Sequence, residues 1–301
     1  MRKCSNDQRN FAASCGFTLI EVLVVTGVIS ILLALIIPAV QRIRGTADRI
    51  NCLNRLRQIG LAFHNYHDLH LALPAGCDAN RIVSGLEPTY RAWPVAILPQ
   101  LEQEAAFRCA EDELIAREHS FDMHRQFAQA MPAFSCPADG RTAVPQKPRR
   151  YDFLAGLLSF QGCSGLNYQS HDGVLFAGSA VKFGHITDGL SNTLLVVERP
   201  PSIDMEFGWW YAGVGQDGAG SLDAHMGVAE WNLIHAFCDF GPYSMGSGSL
   251  QDQCSVFRIW SLHGDGANVL FCDGSARFLS PPDVPVQRAI GSRSGGETAE
   301  F

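Results

Sequence analysis

"CGFTLIEVLVVTGVISILLALIIPAV" (residues 15–40) sets one apolar run near the start of a chain that is otherwise mixed in composition. Val22 to Ile37 carries no charged residue. With Phe17–Ile20 in front and Pro38–Val40 behind, the run reaches about 24 residues. At about 1.5 Å per residue a helix of that length crosses a hydrocarbon core of about 30 Å. A secretory signal peptide would have a shorter apolar core followed by a small-residue cleavage site. Here the run is followed by "QRIRGTADR". The one charge inside it is Glu21, and a carboxylate in hydrocarbon needs a partner or a proton.

The rest of the 301 residues has the texture of a folded, exported body. Hydrophobic residues make up 47% and charged residues 18%, which fits a packed protein and excludes a disordered one. Residues 1–57 carry a net +5 and the remainder −12. An acidic body argues against nucleic acid as a partner, because phosphate contacts need a basic surface. None of the ten cysteines forms a C-x-x-C pair, so zinc-ribbon and thioredoxin-like sites are not expected. An even number of cysteines beyond a membrane segment suggests disulfides instead. Cys238 and Cys254 bracket a Gly/Ser-rich loop and form the preferred pair. A second pairing links Cys52 to Cys136.

After the apolar run, Val40, Ile43, Ala47, Ile50, Leu53, Leu56, Ile59 and Phe63 recur at steps of three and four, so the helix is expected to continue to about residue 71. One helix from Phe17 to His70 would be roughly 80 Å long. Pro38 could bend it. "HNYHDLH" places His64, His67 and His70 at steps of three, which suits packing at the helix end better than metal binding. Beyond Leu73, Asp-Gly occurs six times among short β-rich runs: "GVLFAG", "NTLLVVE", "SVFRIWSL", "NVLFC" and "ARFLS". Asp-Gly favours tight turns, so an antiparallel β body is expected, with two helices inserted before it. "NVLFC-DG-SARFL" reads as a two-residue hairpin. The tail 281–301 is rich in Pro, Gly and Ser and reads as loose. The fold class is therefore α+β: leader 1–16, helix 17–71 with its membrane part at about 17–40, body 72–280, and tail.

The opening stretch resembles the type IV prepilin signal, in which a membrane peptidase cuts after a glycine and methylates the new amine. The resemblance implies cleavage between Gly16 and Phe17, N-methylation of Phe17, and an assembly role for Glu21, which in that family is thought to pair with the terminal amine of a neighbouring subunit. The bland alternative leaves Glu21 neutral near the headgroups or bonded to Thr18. Implied partners are a prepilin peptidase, membrane lipid and other pilin-like subunits. Five arginines follow the apolar run against three basic residues in the leader, so charge alone would not orient the chain. The cleavage motif and the cysteines place the leader inside and the body outside the inner membrane.

His263 stands nine residues before Asp273-Gly274. This H-x(9)-D-G arrangement is similar to the C-terminal signature of a large family of prepilin-type bacterial proteins. "NCLNRLRQIGLAFHNYHD", "LPQLEQ", "FSCPADG" and "ITDGLSNTLLVVE" fit that family too. It implies a surface or envelope protein and names no reaction. Read from the residues, His263 fixes the entry to the hairpin through backbone bonds.

No G-x-S-x-G, Walker loop or H-E-x-x-H occurs, and the G-x-G-x-x-G at Gly213, Gly215 and Gly218 lacks a strand-then-helix context. No catalytic residue and no cofactor is expected. Asp188 and Asn192 could offer oxygens to Ca²⁺, but a turn closed by their side chains is the simpler reading. The leading function is a non-enzymatic, membrane-anchored, pseudopilin-like envelope protein. The alternative is an anchored binding module, in which an aromatic edge at Trp209, Trp210 and Tyr211 and acidic loops capture a saccharide or other solute.

Overall fold

The computed structural model describes residues 18–78, 90–116 and 121–296. The chain divides between Arg44 and Gly45 into two compact units. Helix α1 (Leu19–His70) contributes to both and runs through Pro38 without interruption. Thr18 and Glu21 start it. The Thr18 amide and hydroxyl donate to Glu21 Oε2 at 2.9 and 2.7 Å, and the Glu21 amide donates back to Thr18 Oγ1 at 3.3 Å. This reciprocal capping box satisfies amides that a helix start leaves unpaired.

In the first unit the side chains of α1 are exposed all round, and the apolar window is long enough to cross a membrane. In the second unit the same helix becomes one-sided. Cys52, Leu56, Ile59 and Phe63 are fully buried at helical spacing. Two further helices follow: the single-turn α2 (Trp93–Ala96) is wholly buried, and the 13-residue α3 (Glu104–Ala116) turns Ala106, Ala110 and Leu114 inward.

A five-stranded sheet forms the centre of the body. Its strands are β1 (Phe160–Gly165), β2 (Leu194–Glu198), β3 (His225–Gly227), β6 (Ala267–Phe271) and β7 (Ala276–Leu279), in the order β3-β1-β2-β6-β7. Only β1 and β3 run parallel. β4 (Ala229–Glu230) and β5 (Tyr243–Ser244) pair separately. β1, β2 and β6 are buried throughout and show no alternation; β2 and β6 read as mainly apolar runs, whereas β1 is mostly small and polar. Leu270 faces the cluster that includes α1, while Val269 and Phe271 face a second cluster with Phe257, Tyr243 and Ile290.

Several sequence expectations change in the fold. "GVLFAG" is not a strand. Its Gly173 and Val174 amides donate to Ser164 and Cys163 across a loop, and Ala177 makes a single bridge to Cys77. "SVFRIWSL" begins in a 3₁₀ turn, Gln253–Phe257, capped by Asp252. The turn between β6 and β7 has three residues, Cys272 to Gly274, enclosed by Phe271 and Ser275, and not two. The Gly274 amide donates to Phe271 O, the Phe271 amide donates to Ser275 O, and Gly274 has φ +84°. This is a tight turn closed by a left-handed glycine. The tail is not loose through residue 296. α4 (Val284–Gly291) buries Ile290, the Gln287 side chain bridges the Met245 amide and Pro282 O, and Arg293 donates to the carbonyls of His171 and Gly173. Eight residues between Pro-rich and Gly-rich flanks are too few to show a period, which is why the sequence hid this helix.

Glu230 holds the corner between the two sheets. Its carboxylate accepts from the amides of Gly227, Trp231 and Tyr168. Burial nevertheless pushes its pKa up to about 7. The folded chain therefore binds more protons than the unfolded chain between about pH 4.5 and 7, and this contribution to stability fades as pH rises through that window. Glu230→Gln removes the titration. The stability advantage of wild type over the variant should shrink by ~2–3 kcal/mol between pH 4.5 and 8. Denaturant melts of both proteins across that range check this; a constant gap would show that Glu230 does not titrate there.

Candidate functional site

Gly16 and Phe17, the expected cleavage pair, lie outside the described residues. Glu21 is described, and within the chain its carboxylate is engaged by Thr18. Cys238 and Cys254 are joined as a disulfide with Cα atoms 5.6 Å apart. The other six described cysteines are not joined to one another as disulfides, and five of them are buried. Among the described residues disulfides are thus fewer than the cysteine count suggested. Burial in the sheet, which pushes Cys163 up to about 12, keeps that thiol protonated and inert.

Cys52 and Cys136 do come together, but as free thiols and with two further groups. His263 Nε2 lies 3.2 Å from Cys136 Sγ, 3.3 Å from Cys52 Sγ and 3.6 Å from Glu198 Oε1. The donor atoms of all four residues lie within 4.8 Å of one another. Each comes from a different part of the body. Cys52 is on the buried stripe of α1. Cys136 follows the Pro132–Phe134 turn, and its amide donates to Ser159 Oγ at 2.8 Å. Glu198 ends β2 opposite Phe160. His263 precedes β6. So His263 does not serve the hairpin's backbone as the sequence suggested; its ring turns into this cluster. Asp273, the other signature residue, stays at the hairpin, where its carboxylate accepts from the Ser275 amide.

The cluster is enclosed. Cys52, Cys136 and Glu198 are at most 1% exposed, and the His263 side chain is 2% exposed. Asn268 holds one carboxylate oxygen of Glu198, donating from its side chain at 2.6 Å and its amide at 3.3 Å. The other oxygen, Oε1, has no conventional hydrogen-bond partner. Burial pushes the Glu198 pKa up to about 7 and the His263 pKa down. The hydrogen bond with Cys52, then burial, drive Cys136 up.

The remaining candidates take structural roles. His64 Nε2 meets Cys272 O at 3.0 Å, and the rings of His64 and His67 both pack on Phe183. Both carboxylate oxygens of Asp188 accept amides of the tail, from Gly295 and Gly296, while the Asn192 side chain donates to Asp188 O. That pair therefore closes a turn and pins the tail. Trp210 and Tyr211 are not an exposed edge. Both are fully buried; Trp210 Nε1 donates to Gln129 O, and the Tyr211 hydroxyl meets His124 Nδ1. Trp209 alone borders a pocket of about 430 Å³, beside Tyr151, Phe153, Arg150, Glu206 and Asp223.

Residues 41–281 match the family described as protein of unknown function, DUF1559, and residues 12–37 match the prokaryotic N-terminal methylation motif. The first match covers most of the chain, so the chain belongs to the DUF1559 family. With the methylation motif and the apolar helix, it is a type IV pilin-like, membrane-anchored protein. Comparison with curated proteins and with solved structures returned no match.

Neither Cys52 nor Cys136 was grouped with Glu198 and His263 by the sequence. The available signal was that "NCLNRL", "FSCPADG", "LLVVE" and the histidine of the signature each hold one residue able to bind a soft metal. The local disulfide yields its own test. In the double variant Cys238→Ser/Cys254→Ser, opening the short loop should lower stability by about 3 kcal/mol, read from denaturant melts, while peptide mapping of the native protein should find neither thiol alkylated.

Proposed function

We propose that the protein is a non-enzymatic, pseudopilin-like envelope component. It is made as a prepilin, cut between Gly16 and Phe17 by a prepilin peptidase, and methylated at the new amine of Phe17. It stays in the inner membrane through the first half of α1 and presents its acidic body on the outer side. The observation that carries this reading is the prepilin motif running directly into one helix, apolar on every side and then apolar on one side only. That change of pattern suits a segment solvated by lipid followed by a segment packed on a domain.

Glu21 has two states in this reading. In the single chain its carboxylate is satisfied by Thr18. In an assembly it would leave that contact for the methylated amine of a neighbour, exchanging a neutral donor for a charged one. Gly16→Val should leave the uncut precursor in the membrane, whereas a mature protein still beginning at Phe17 would remove the assignment. Glu21→Leu and Glu21→Gln should both be cut normally and should both lose higher-order crosslinks in membranes. Crosslinks unchanged in both variants would leave a solitary anchored domain.

A second reading, an anchored module that captures a saccharide, is favoured by the pocket beside Trp209. Tyr151 and Phe153 are stacked with centroids 5.0 Å apart, and both meet Trp209 edge-on. Arg150 and Glu206 supply polar groups at the same pocket. Aromatic faces beside charged groups suit a sugar ring with its hydroxyls. Tyr151 is 46% exposed, so Tyr151→Ala should spare the fold and weaken glycan binding about 10-fold or more. A glycan array with wild type and this variant tests it; equal binding, or none, excludes the pocket.

A further inference from the structure

Four donor atoms of three chemical kinds meet in the body away from both the anchor and the aromatic pocket. In a tetrahedral zinc site with Zn–S about 2.3 Å and Zn–N or Zn–O about 2.0–2.1 Å, neighbouring ligand atoms stand about 3.3–3.8 Å apart. The three approaches of His263 Nε2, at 3.2, 3.3 and 3.6 Å, match the edges of such a tetrahedron to within a few tenths of an ångström. All four atoms already lie within 4.8 Å of each other, so the widest separation must contract by at most about 1 Å to reach the longest edge of such a tetrahedron.

Glu198 points to the same conclusion independently. The residue is completely buried, one oxygen is committed to Asn268, and the other faces the two thiols and the imidazole with no conventional hydrogen-bond partner. An orphaned buried carboxylate oxygen costs free energy that a metal ion would recover. A carboxylate with one oxygen free and the other gripped by a neutral donor is also how a monodentate ligand is held in place by its supporting residues.

We infer that Cys52, Cys136, Glu198 and His263 form a structural Zn²⁺ site. The ligand atoms are the two thiolate sulfurs, His263 Nε2 and Glu198 Oε1. On binding, the two thiol protons leave to solvent, and His263 binds through its neutral ring. Three anionic ligands around a dication leave one net negative charge, which the Asn268 donors face. Thiolate sulfur excludes Ca²⁺ and Mg²⁺, which take oxygen ligands. All four positions are filled by protein and the site is closed to solvent, so no position is left for a reactive water. The ion ties α1 to the end of β2, to the loop at Cys136 and to the approach to β6. This role rests on the body alone and stands whether or not the chain is processed or assembled.

The experiment uses the full-length chain in detergent, purified with its thiols protected. Elemental analysis and native mass spectrometry should find one zinc per chain. After removal of the metal, titration with Co²⁺ should give the intense visible bands of tetrahedral cobalt and a thiolate-to-cobalt charge-transfer band in the near ultraviolet. His263→Ala should lose stoichiometric zinc. Asn268→Ala keeps all four ligands and should weaken zinc about 10- to 100-fold, measured by competition with a chelator. Because the ligand variants could fail to fold, the stoichiometry and cobalt spectrum of wild type carry the decision. A reduced wild-type chain that takes up neither zinc nor cobalt would overturn the site. So would a weak, octahedral cobalt spectrum, or a Cys52–Cys136 disulfide in protein alkylated at the moment of isolation.

Discussion

Leu56, Ile59 and Phe63 sit completely buried on a helix that, a few turns earlier, exposes every side chain it has. The body depends on this stripe. Phe63 lies 5.1 Å from Trp93, and Gly60 brings the helix so close to the β6–β7 hairpin that a Cβ there would stand 2.9 Å from Leu270 Cδ1 and 3.3 Å from Gly274 Cα. Arg49 covers the ring of Phe278, and Arg55 donates to Ser135 O. Burying three large apolar side chains is worth about 1.5–3 kcal/mol each. A cut placed beyond Cys52 would remove part of that core, so the helix that begins in the anchor is also the first core element of the body.

The same stripe carries Cys52 into the interior. A thiol at that position would be ordinary core if its neighbours were apolar. Its neighbours are instead a second thiol, an imidazole and a carboxylate, whose side chains are all shut away from water. Polar groups concentrated in a closed interior are costly unless each is satisfied. Glu198 is satisfied on one side only, through Asn268, and Asn268 belongs to the strand paired with β2. The sheet therefore supports the cluster from behind while α1 supplies its front. In a pilin-like protein this gives the junction of helix and body a specific polar tie as well as an apolar one.

Elsewhere the body solves the problem of long irregular segments by pinning them with side chains. Asp188 and Arg293 secure the tail, Glu230 collects three amides at the corner of the sheets, and Asp223 collects the amides of Gly208 and Gly215. Each of these groups spends its charge on backbone.

The anchor, its helical continuation, the α+β class and the Cys238–Cys254 pair were legible in the sequence because each is written in neighbouring residues. A 24-residue apolar run, a three-and-four repeat and two cysteines around one loop need no knowledge of distant contacts. The strands at β2, β6 and β7 were legible for the same reason. The parallel pairing of β1 with β3 was not, since "FQGCSG" and "HMG" carry neither strong β propensity nor alternation when buried on both faces. The burial of α4 and of Trp210 was decided by what packs over them. Above all, Cys52, Cys136, Glu198 and His263 share no local pattern. Each is unremarkable in its own segment, and metal-ligand spacing applies only when ligands come from one turn or one helix. Their meeting is a property of the α1–sheet packing, which only the tertiary structure decided.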